Sequence, residues 1–321
     1  MVILNRPAKV KSVILMEDMN GWRSNTVGTI ATREDAIMCF KNVAVLHATF
    51  WGEKQMGIKS MFKPAKPETD CRPASYNKMQ AKMRNLGYTT EKIQKCINKV
   101  IDGEWKTTPL MTLKKDSLLP DWLSSKPLED GSYAVFEDPL TLEMLGVLAA
   151  KAPQYNTKKL KLLIKKPQQT MLHGDFHAGN HMYGANENAG KIVALDYQQA
   201  GPGRVAVEFL YFFMLSLSPH SFEELMEIAK AYHEALEEAG VNDYSWEEFF
   251  DDIEMLLVDM CVNVLNLTSW IKPKSILSFA DGAGDKGEEV KKLFESGIYG
   301  KFFTLLTSIY LQDKERFLTT E

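Results

Sequence analysis

The spacing of apolar residues along the chain predicts a mostly helical protein. Several stretches repeat apolar positions with the period of an α-helix and begin with capping signals. The predicted helices start near Thr32, at Asp138 with a proline at the first helical position, and at two capping boxes, Ser221–Glu224 and Ser245–Glu248. We expect two further helices after a break at Asp281–Gly287.

A few short apolar runs have the length of strands instead. Met171–Leu172 is one, and Ile192–Leu195 is another. The cluster Asn186–Gly190 between them favours a turn, so we expect these two strands to form a hairpin region. Gly201–Gly203 predicts a sharp turn, and Val13–Met16 predicts one more buried strand. The sequence therefore predicts an α+β fold, mostly helical with a small β hairpin region.

Residues whose side chains could take part in catalysis or metal binding concentrate around the two central strands. They are His173, Asp175, His177, Asn180 and Asp196. If the two runs pair, a loop residue at 175 and a strand-end residue at 196 lie at the same edge. Two carboxylates and an amide gathered there suit divalent metal and phosphate chemistry, because hard cations prefer oxygen ligands.

Two motifs in this region resemble a known catalytic signature. His173–Asn180 reads His-Gly-Asp-Phe-His-Ala-Gly-Asn, and Leu195–Gln198 reads Leu-Asp-Tyr-Gln. Together they resemble the aminoglycoside phosphotransferase and choline-kinase-like group, which has a protein-kinase-like fold. The Asp-Tyr-Gln ending is closer to the ecdysteroid-kinase-like and CHK branch, whereas His-Ala-Gly-Asn is closer to the antibiotic-modifying enzymes. The two motifs therefore point to different subfamilies of this group.

The resemblance implies a role for each motif residue. Asp175 would accept the proton of a small-molecule hydroxyl that receives phosphate from ATP. Asn180 and Asp196 would hold Mg²⁺, His173 would shape the loop, and His177 would contact the phosphates or the loop backbone.

Residues outside the two motifs also fit the resemblance. The carbonyl of Glu17 and the amide of Met19 would bond the adenine ring at a hinge between the lobes. Glu208 stands where the family has an aspartate that braces the catalytic loop. His47, within a Leu-His-Ala-x-Phe-Trp element, is expected to be a packed, hydrogen-bonded core residue rather than a catalytic one.

The resemblance covers a hinge and a large lobe but no small lobe. Twelve residues precede Val13, and no glycine precedes Gly21, so a nucleotide-covering loop is not recognisable. We expect residues 1–20 to be a remnant of the small-lobe strand and hinge, and residues 21–321 to be the kinase-like large lobe. The sequence is then a truncated kinase, a catalytically inactive relative that binds a ligand, or a chain whose small lobe comes from a partner at the exposed lobe interface.

Composition and charge bear on the location and the partners of the protein, and they are compatible with a kinase-like enzyme. A net charge of -4 over 321 residues does not favour a nucleic-acid partner. The four cysteines are scattered, which favours reduced thiols and a cytoplasmic location. No signal peptide is recognisable, and the most apolar stretches are too short or too interrupted for stable membrane insertion.

One alternative comes from a different class of protein. His173, Asp175, His177, His181 and Asp196 could form a transition-metal cluster of a hydrolase, because imidazole and carboxylate groups bind zinc, iron and manganese. Gly174 and Gly179 argue instead for a loop at this place.

Overall fold

The structure, a computed structural model, describes residues 19–25, 29–52, 95, 97–100, 102, 112–113, 123–151, 168–219, 221–270 and 299–314. Most of the described chain is helical, as predicted. The helices are α1 Arg33–Thr49, α2 Pro139–Lys151, α3 Val205–Ser216, α4 Phe222–Glu238, α5 Trp246–Trp270 and α6 Gly300–Gln312. The break predicted at Asp281–Gly287 lies outside the described residues. None of the helices in the described part of the chain combines the length and the apolar character that a membrane span requires.

The helices begin where the capping signals predicted. Ser221 accepts a hydrogen bond from the amide of Glu224 at 3.1 Å. Ser245 and Glu248 bond each other's backbone amides at 3.2 and 3.1 Å, which is a complete capping box. Asp138 accepts from the Thr141 amide at 2.7 Å and places Pro139 at the first helical position. These starts were predictable because each cap joins residues only three positions apart.

The strands are short and form three small antiparallel sheets. They are β1 Arg23–Ser24, β2 Thr112–Leu113, β3 Tyr133–Ala134, β4 Thr170–Leu172, β5 His181–Tyr183, β6 Ile192–Ala194 and β7 Gly201–Gly203. The sheet orders are β1-β5-β6, β2-β3 and β4-β7. With the helices, they give the α+β, mostly helical fold that the sequence predicts.

The predicted pairing of Met171–Leu172 with Ile192–Leu195 is wrong. β4 pairs with β7, with Met171 opposite Pro202, whereas β6 pairs with β5. The predicted turn at Gly201–Gly203 is therefore a strand. Proline is tolerated there because β7 is an edge strand of a two-stranded sheet, where a missing N–H need not interrupt a ladder. The turn at Asn186–Gly190 does exist, and it joins β5 to β6.

An aromatic cluster around Phe40 forms the centre of the core. Its ring lies 4.8 Å from Tyr232 on α4, 5.0 Å from Phe212 on α3 and 5.6 Å from Phe176, measured between ring centroids. Aromatic pairs at such separations stabilise a core beyond simple burial. Because Phe176 lies in the loop after β4, the core anchors that loop directly.

A buried ion pair fixes the start of α3. The guanidinium of Arg204 donates to Asp252 on α5, and both side chains are almost inaccessible. Tyr244 donates its hydroxyl to the same carboxylate at 2.7 Å, and Arg204 also donates to the Gln168 carbonyl at 3.1 Å. The beginning of α3 is thereby joined to α5 and to the segment that enters β4.

Of the predicted hinge, the structure describes Met19 only. Val13–Met16 and Glu17 lie outside the described residues, so the boundary at residue 20 stays a prediction. The carbonyl of Met19 accepts a hydrogen bond from the Trp22 amide at 3.1 Å, in a turn that continues into β1. Since β1 pairs with β5, this turn leads into the sheet whose end carries the predicted metal ligands.

Candidate active site

The loop between β4 and β5, residues 173–180, carries most of the predicted site and is called the catalytic loop below. Its second residue, Gly174, has φ +88, and a Cβ there would lie 2.2 Å from the Gln199 carbonyl oxygen. Only glycine fits such a close backbone approach at positive φ. The catalytic loop thus lies directly against the short helical turn that follows Asp196.

His173 links the catalytic loop to the end of β6. The ring is fully buried; its Nε2 donates to the Leu195 carbonyl at 2.7 Å, and its Nδ1 accepts from the Asp175 amide at 3.3 Å. These partners assign the proton to Nε2. His173 is therefore a structural connection between the loop and the residue that precedes Asp196.

Asp175 presents its carboxylate at the surface of the loop. Oδ1 accepts the Tyr211 hydroxyl at 2.9 Å, and Oδ2 lies 3.4 Å from the Gln199 side-chain amide. The side chain is 17% exposed, so solutes can reach it. A carboxylate in this setting suits the acceptance of a proton from a bound hydroxyl.

Asn180 and Asp196 lie at the same end of the β5–β6 pair. Asn180 directly precedes β5, its carbonyl accepts from the Leu195 amide at 2.8 Å, and Asp196 is the next residue along the chain. The Asn180 side-chain nitrogen donates to the Asp175 carbonyl at 2.8 Å, which directs the amide oxygen the other way. The structure thus brings together the three oxygen-bearing residues that the sequence singled out, although through a different strand pairing.

Asp196 has an unusual backbone conformation. It is a non-glycine residue in the left-handed region, at φ 63 and ψ 58, and it is exposed. Such residues concentrate at functional sites because surrounding structure must hold them there.

Two further histidines support the catalytic loop as neutral rings. His177 Nδ1 accepts from the Gly179 amide at 3.1 Å, and its Nε2 lies 3.8 Å from Oδ1 of Asp175. Burial lowers the pKa of His177, although the charge of Asp175 opposes this. His181 Nδ1 donates to the His177 carbonyl at 2.8 Å, and burial lowers the pKa of His181 to about 4.

Helix α3 holds the catalytic loop through three side chains. Glu208 Oε1 accepts from the Gly174 amide at 2.6 Å, and Ser216 Oγ accepts from the Ala178 amide at 2.8 Å. Tyr211 lies between them in sequence and bonds Asp175, as described above. The role expected for Glu208, to brace the loop, matches this contact, and the longer side chain reaches the loop.

A buried chain of hydrogen bonds continues from Glu208 into the core. Its Oε2 accepts from His47 Nε2 at 3.1 Å, and His47 Nδ1 accepts the Tyr232 hydroxyl at 2.6 Å. His47 is fully buried. The expectation that His47 is a packed, hydrogen-bonded core residue is confirmed.

Sequence reasoning missed Tyr211, Ser216 and Tyr232. Tyr211 and Ser216 lie in the apolar helix α3, whereas Tyr232 lies in α4, which also carries many charged residues. A buried hydroxyl needs a hydrogen-bond partner. The sequence can therefore indicate that a contact exists, but not which residue makes it.

Residues 141–241 match the model of the ecdysteroid kinase-like family. This part of the chain is similar to that family. The match, which covers less than half of the chain, begins in α2, includes the catalytic loop and α3, and continues beyond α4. No curated protein and no solved structure gives a significant match to the chain.

The ecdysteroid kinase-like match indicates a kinase-like phosphotransferase, a class of enzyme that uses ATP with a divalent metal ion. The hydrolase alternative gains nothing from the geometry. Among the residues that the structure describes, no group of three or more His, Cys, Asp or Glu side chains could hold a metal ion. His173, His177 and His181 instead bond the backbone of their own loop or of the end of β6.

Proposed function

We propose that this chain carries the catalytic residues for transfer of a phosphoryl group from ATP to a hydroxyl of a small molecule. The observation that carries the proposal is the grouping of Asp175, Asn180 and Asp196 at one end of the β5–β6 pair. The ecdysteroid kinase-like match over the same residues supports it.

In this proposal, Asp175 accepts the proton of the acceptor hydroxyl. Phosphoryl transfer needs positioning and charge stabilisation more than covalent chemistry by the protein. The contacts of α3 to Gly174, Asp175 and Ala178 supply positioning, because they hold the loop before any substrate binds. Loop and base are therefore preorganised by a helix of the core.

Asn180 and Asp196 fit a magnesium ion. The bond from the Asn180 nitrogen to the Asp175 carbonyl leaves the amide oxygen as the ligand atom, and Asp196 contributes an exposed carboxylate at the same end of the strand pair. Mg²⁺ commonly takes one or two protein oxygens together with phosphate oxygens and waters. When bound, the ion would neutralise charge on the nucleotide phosphates.

The proposed enzyme would also bond the adenine ring of ATP through the backbone of the hinge. Glu17 and Met19 are the candidates for this contact, and Met19 lies in the turn that leads to β1.

Thermal unfolding in the presence of nucleotide tests this function. We expect ATP with Mg²⁺ to raise the Tm of the purified chain and ATP with EDTA to raise it less. A ligand at 100 times its dissociation constant adds about 2.7 kcal/mol to the free energy of unfolding. The matched variant Asp196→Asn should lose the metal-dependent part of the shift. A folded wild type whose Tm does not respond to ATP and Mg²⁺ would contradict nucleotide binding by this chain.

Transfer is then measured with a panel of alcohols that includes an amino alcohol, a sterol and a sugar. Asp175→Asn should abolish transfer and keep the nucleotide-dependent shift in Tm, since it removes the proton acceptor and leaves the proposed metal ligands. Unchanged turnover in Asp175→Asn would exclude Asp175 as the base.

A further inference from the structure

Three side chains from α3 bond the catalytic loop. Two of them bond its backbone, and one bonds the side chain of the proposed base. Glu208 and Ser216 accept hydrogen bonds from backbone amides, at 2.6 and 2.8 Å. Tyr211 instead donates its hydroxyl to the carboxylate of Asp175, at 2.9 Å. Loss of the Tyr211 hydroxyl would therefore release the Asp175 carboxylate from its fixed position, while the two other contacts still hold the loop.

The two oxygens of Asp175 are held differently. Oδ1 receives the Tyr211 hydroxyl at an ordinary hydrogen-bond distance. Oδ2 lies 3.4 Å from the Gln199 side-chain nitrogen, longer than a usual N–H···O bond, which spans about 2.7 to 3.2 Å. One oxygen is thus fixed, and the other keeps capacity to accept a bond from a ligand.

We propose that Tyr211 is a positioning residue that fixes Oδ1 of Asp175 and thereby presents Oδ2 to the acceptor hydroxyl. This rests on the proposed function. In the reaction, the acceptor oxygen bonds the γ-phosphorus as the bond from that phosphorus to the β-γ bridging oxygen breaks, and ADP leaves. The acceptor proton passes to Oδ2, and Tyr211 keeps its own proton throughout.

The variant Tyr211→Phe removes only the hydroxyl. We expect kcat to fall about ten- to a hundred-fold, because a misplaced reacting group can cost about a hundred-fold in rate. KM for ATP should stay unchanged, since the bond that is removed goes to Asp175, which is the proposed base and not a proposed metal ligand. Partial unfolding would lower the apparent kcat without changing KM, so kcat is calculated per folded molecule, with the folded fraction of each variant measured by circular dichroism.

Tyr310→Phe is the matched control. The Tyr310 hydroxyl on α6 donates to the Glu143 carboxylate on α2 at 2.7 Å, a bond of the same type outside the catalytic loop. Its removal should leave kcat and KM unchanged. An unchanged kcat in Tyr211→Phe, or an equal fall in Tyr310→Phe, would overturn the proposal.

A thermal double-mutant cycle tests the contact independently of turnover. It compares wild type, Tyr211→Phe, Asp175→Ala and the double variant. A direct bond should make the changes in Tm non-additive, by about 2 to 4 °C. Additive changes would overturn the role of Tyr211 whether or not the enzyme turns over. Non-additive changes in a chain that neither binds nucleotide nor transfers phosphate would support the contact and refute only the proposed function.

Discussion

Glu208 on α3 and Gly174 in the catalytic loop are joined by a hydrogen bond of 2.6 Å, from the glycine amide to Oε1 of the buried carboxylate. The other oxygen, Oε2, accepts from His47 on α1. One carboxylate therefore connects the catalytic loop to two helices of the core. Hydrogen bonds to charged groups are stronger than neutral ones, so this contact holds the loop firmly.

We predict that Glu208→Gln destabilises the protein by about 1 to 3 kcal/mol. The amide oxygen can still accept from Gly174, but the amide nitrogen would face the proton on His47 Nε2. If His47 changes tautomer instead, the Tyr232 hydroxyl loses its acceptor. In either case one buried donor is left without a partner. Urea denaturation of the two proteins measures the difference.

The control for this variant is Glu143→Gln. Glu143 accepts from Tyr310 and Lys314 on an exposed surface, where such contacts contribute little. An equal loss of stability in both variants would contradict a special role for the buried carboxylate.

A second prediction concerns the close approach at Gly174. Gly174→Ala should be more destabilising than Gly190→Ala, although both residues have positive φ, +88 and +81. A Cβ at 174 meets the Gln199 carbonyl oxygen at 2.2 Å, whereas at 190 nothing lies within 4 Å. Gly190→Ala carries only the cost of its conformation, about 1 to 3 kcal/mol. Chemical denaturation of both variants measures their losses of stability, and the difference between the two is the cost of the contact with the Gln199 carbonyl. Equal losses would exclude such a cost.

A third prediction concerns the ion pair at the start of α3. Arg204→Met should destabilise by about 3 to 5 kcal/mol, because it leaves the buried charge of Asp252 without its cation. The double variant Arg204→Met/Asp252→Asn should regain part of this loss, since it removes the charge and keeps an oxygen for the Tyr244 hydroxyl. Urea denaturation of the wild type, Arg204→Met, Asp252→Asn and the double variant measures the coupling. A double variant with the sum of the single losses would contradict a direct interaction.

A fourth prediction concerns the pH dependence of stability. Lys301 is buried at the start of α6 and donates to the Leu217 carbonyl at 2.7 Å, just after α3 ends. Burial lowers its pKa from 10.5 to about 8. Between these values the unfolded chain holds the proton that the folded chain has released, so the free energy of unfolding rises with pH. Below pH 8 both states are protonated, and the full penalty of the buried charge is present.

Lys301→Met lacks this titration. From about pH 7 to about pH 10, the stability of the wild type relative to the variant should rise by up to about 3 kcal/mol, which follows from the size of the pKa shift. Denaturation of both proteins across this range isolates Lys301, because tyrosines and cysteines titrate alike in the two. A difference that stays constant with pH would show that Lys301 does not titrate as described.

Local signals predicted the helical framework. The caps at Ser221 and Ser245 and the proline after Asp138 mark helix starts because cap and first turn are adjacent in the chain. Strand pairing was not predictable in the same way. Three-residue strands carry little pattern, so nothing local distinguishes β7 from β6 as the partner of β4.

The amino-acid sequence determined which residues are the candidates for the proposed chemistry. Asp175, Asn180 and Asp196 are recognisable from residue type and order, and Gly174 is the residue that the close backbone approach requires. Tertiary structure alone decided what holds them. His47 and Glu208 are 161 positions apart, and Asp175 and Tyr211 are 36 apart. Such pairs meet only when the helices pack around Phe40, because packing orients each side chain toward a partner that no local pattern specifies.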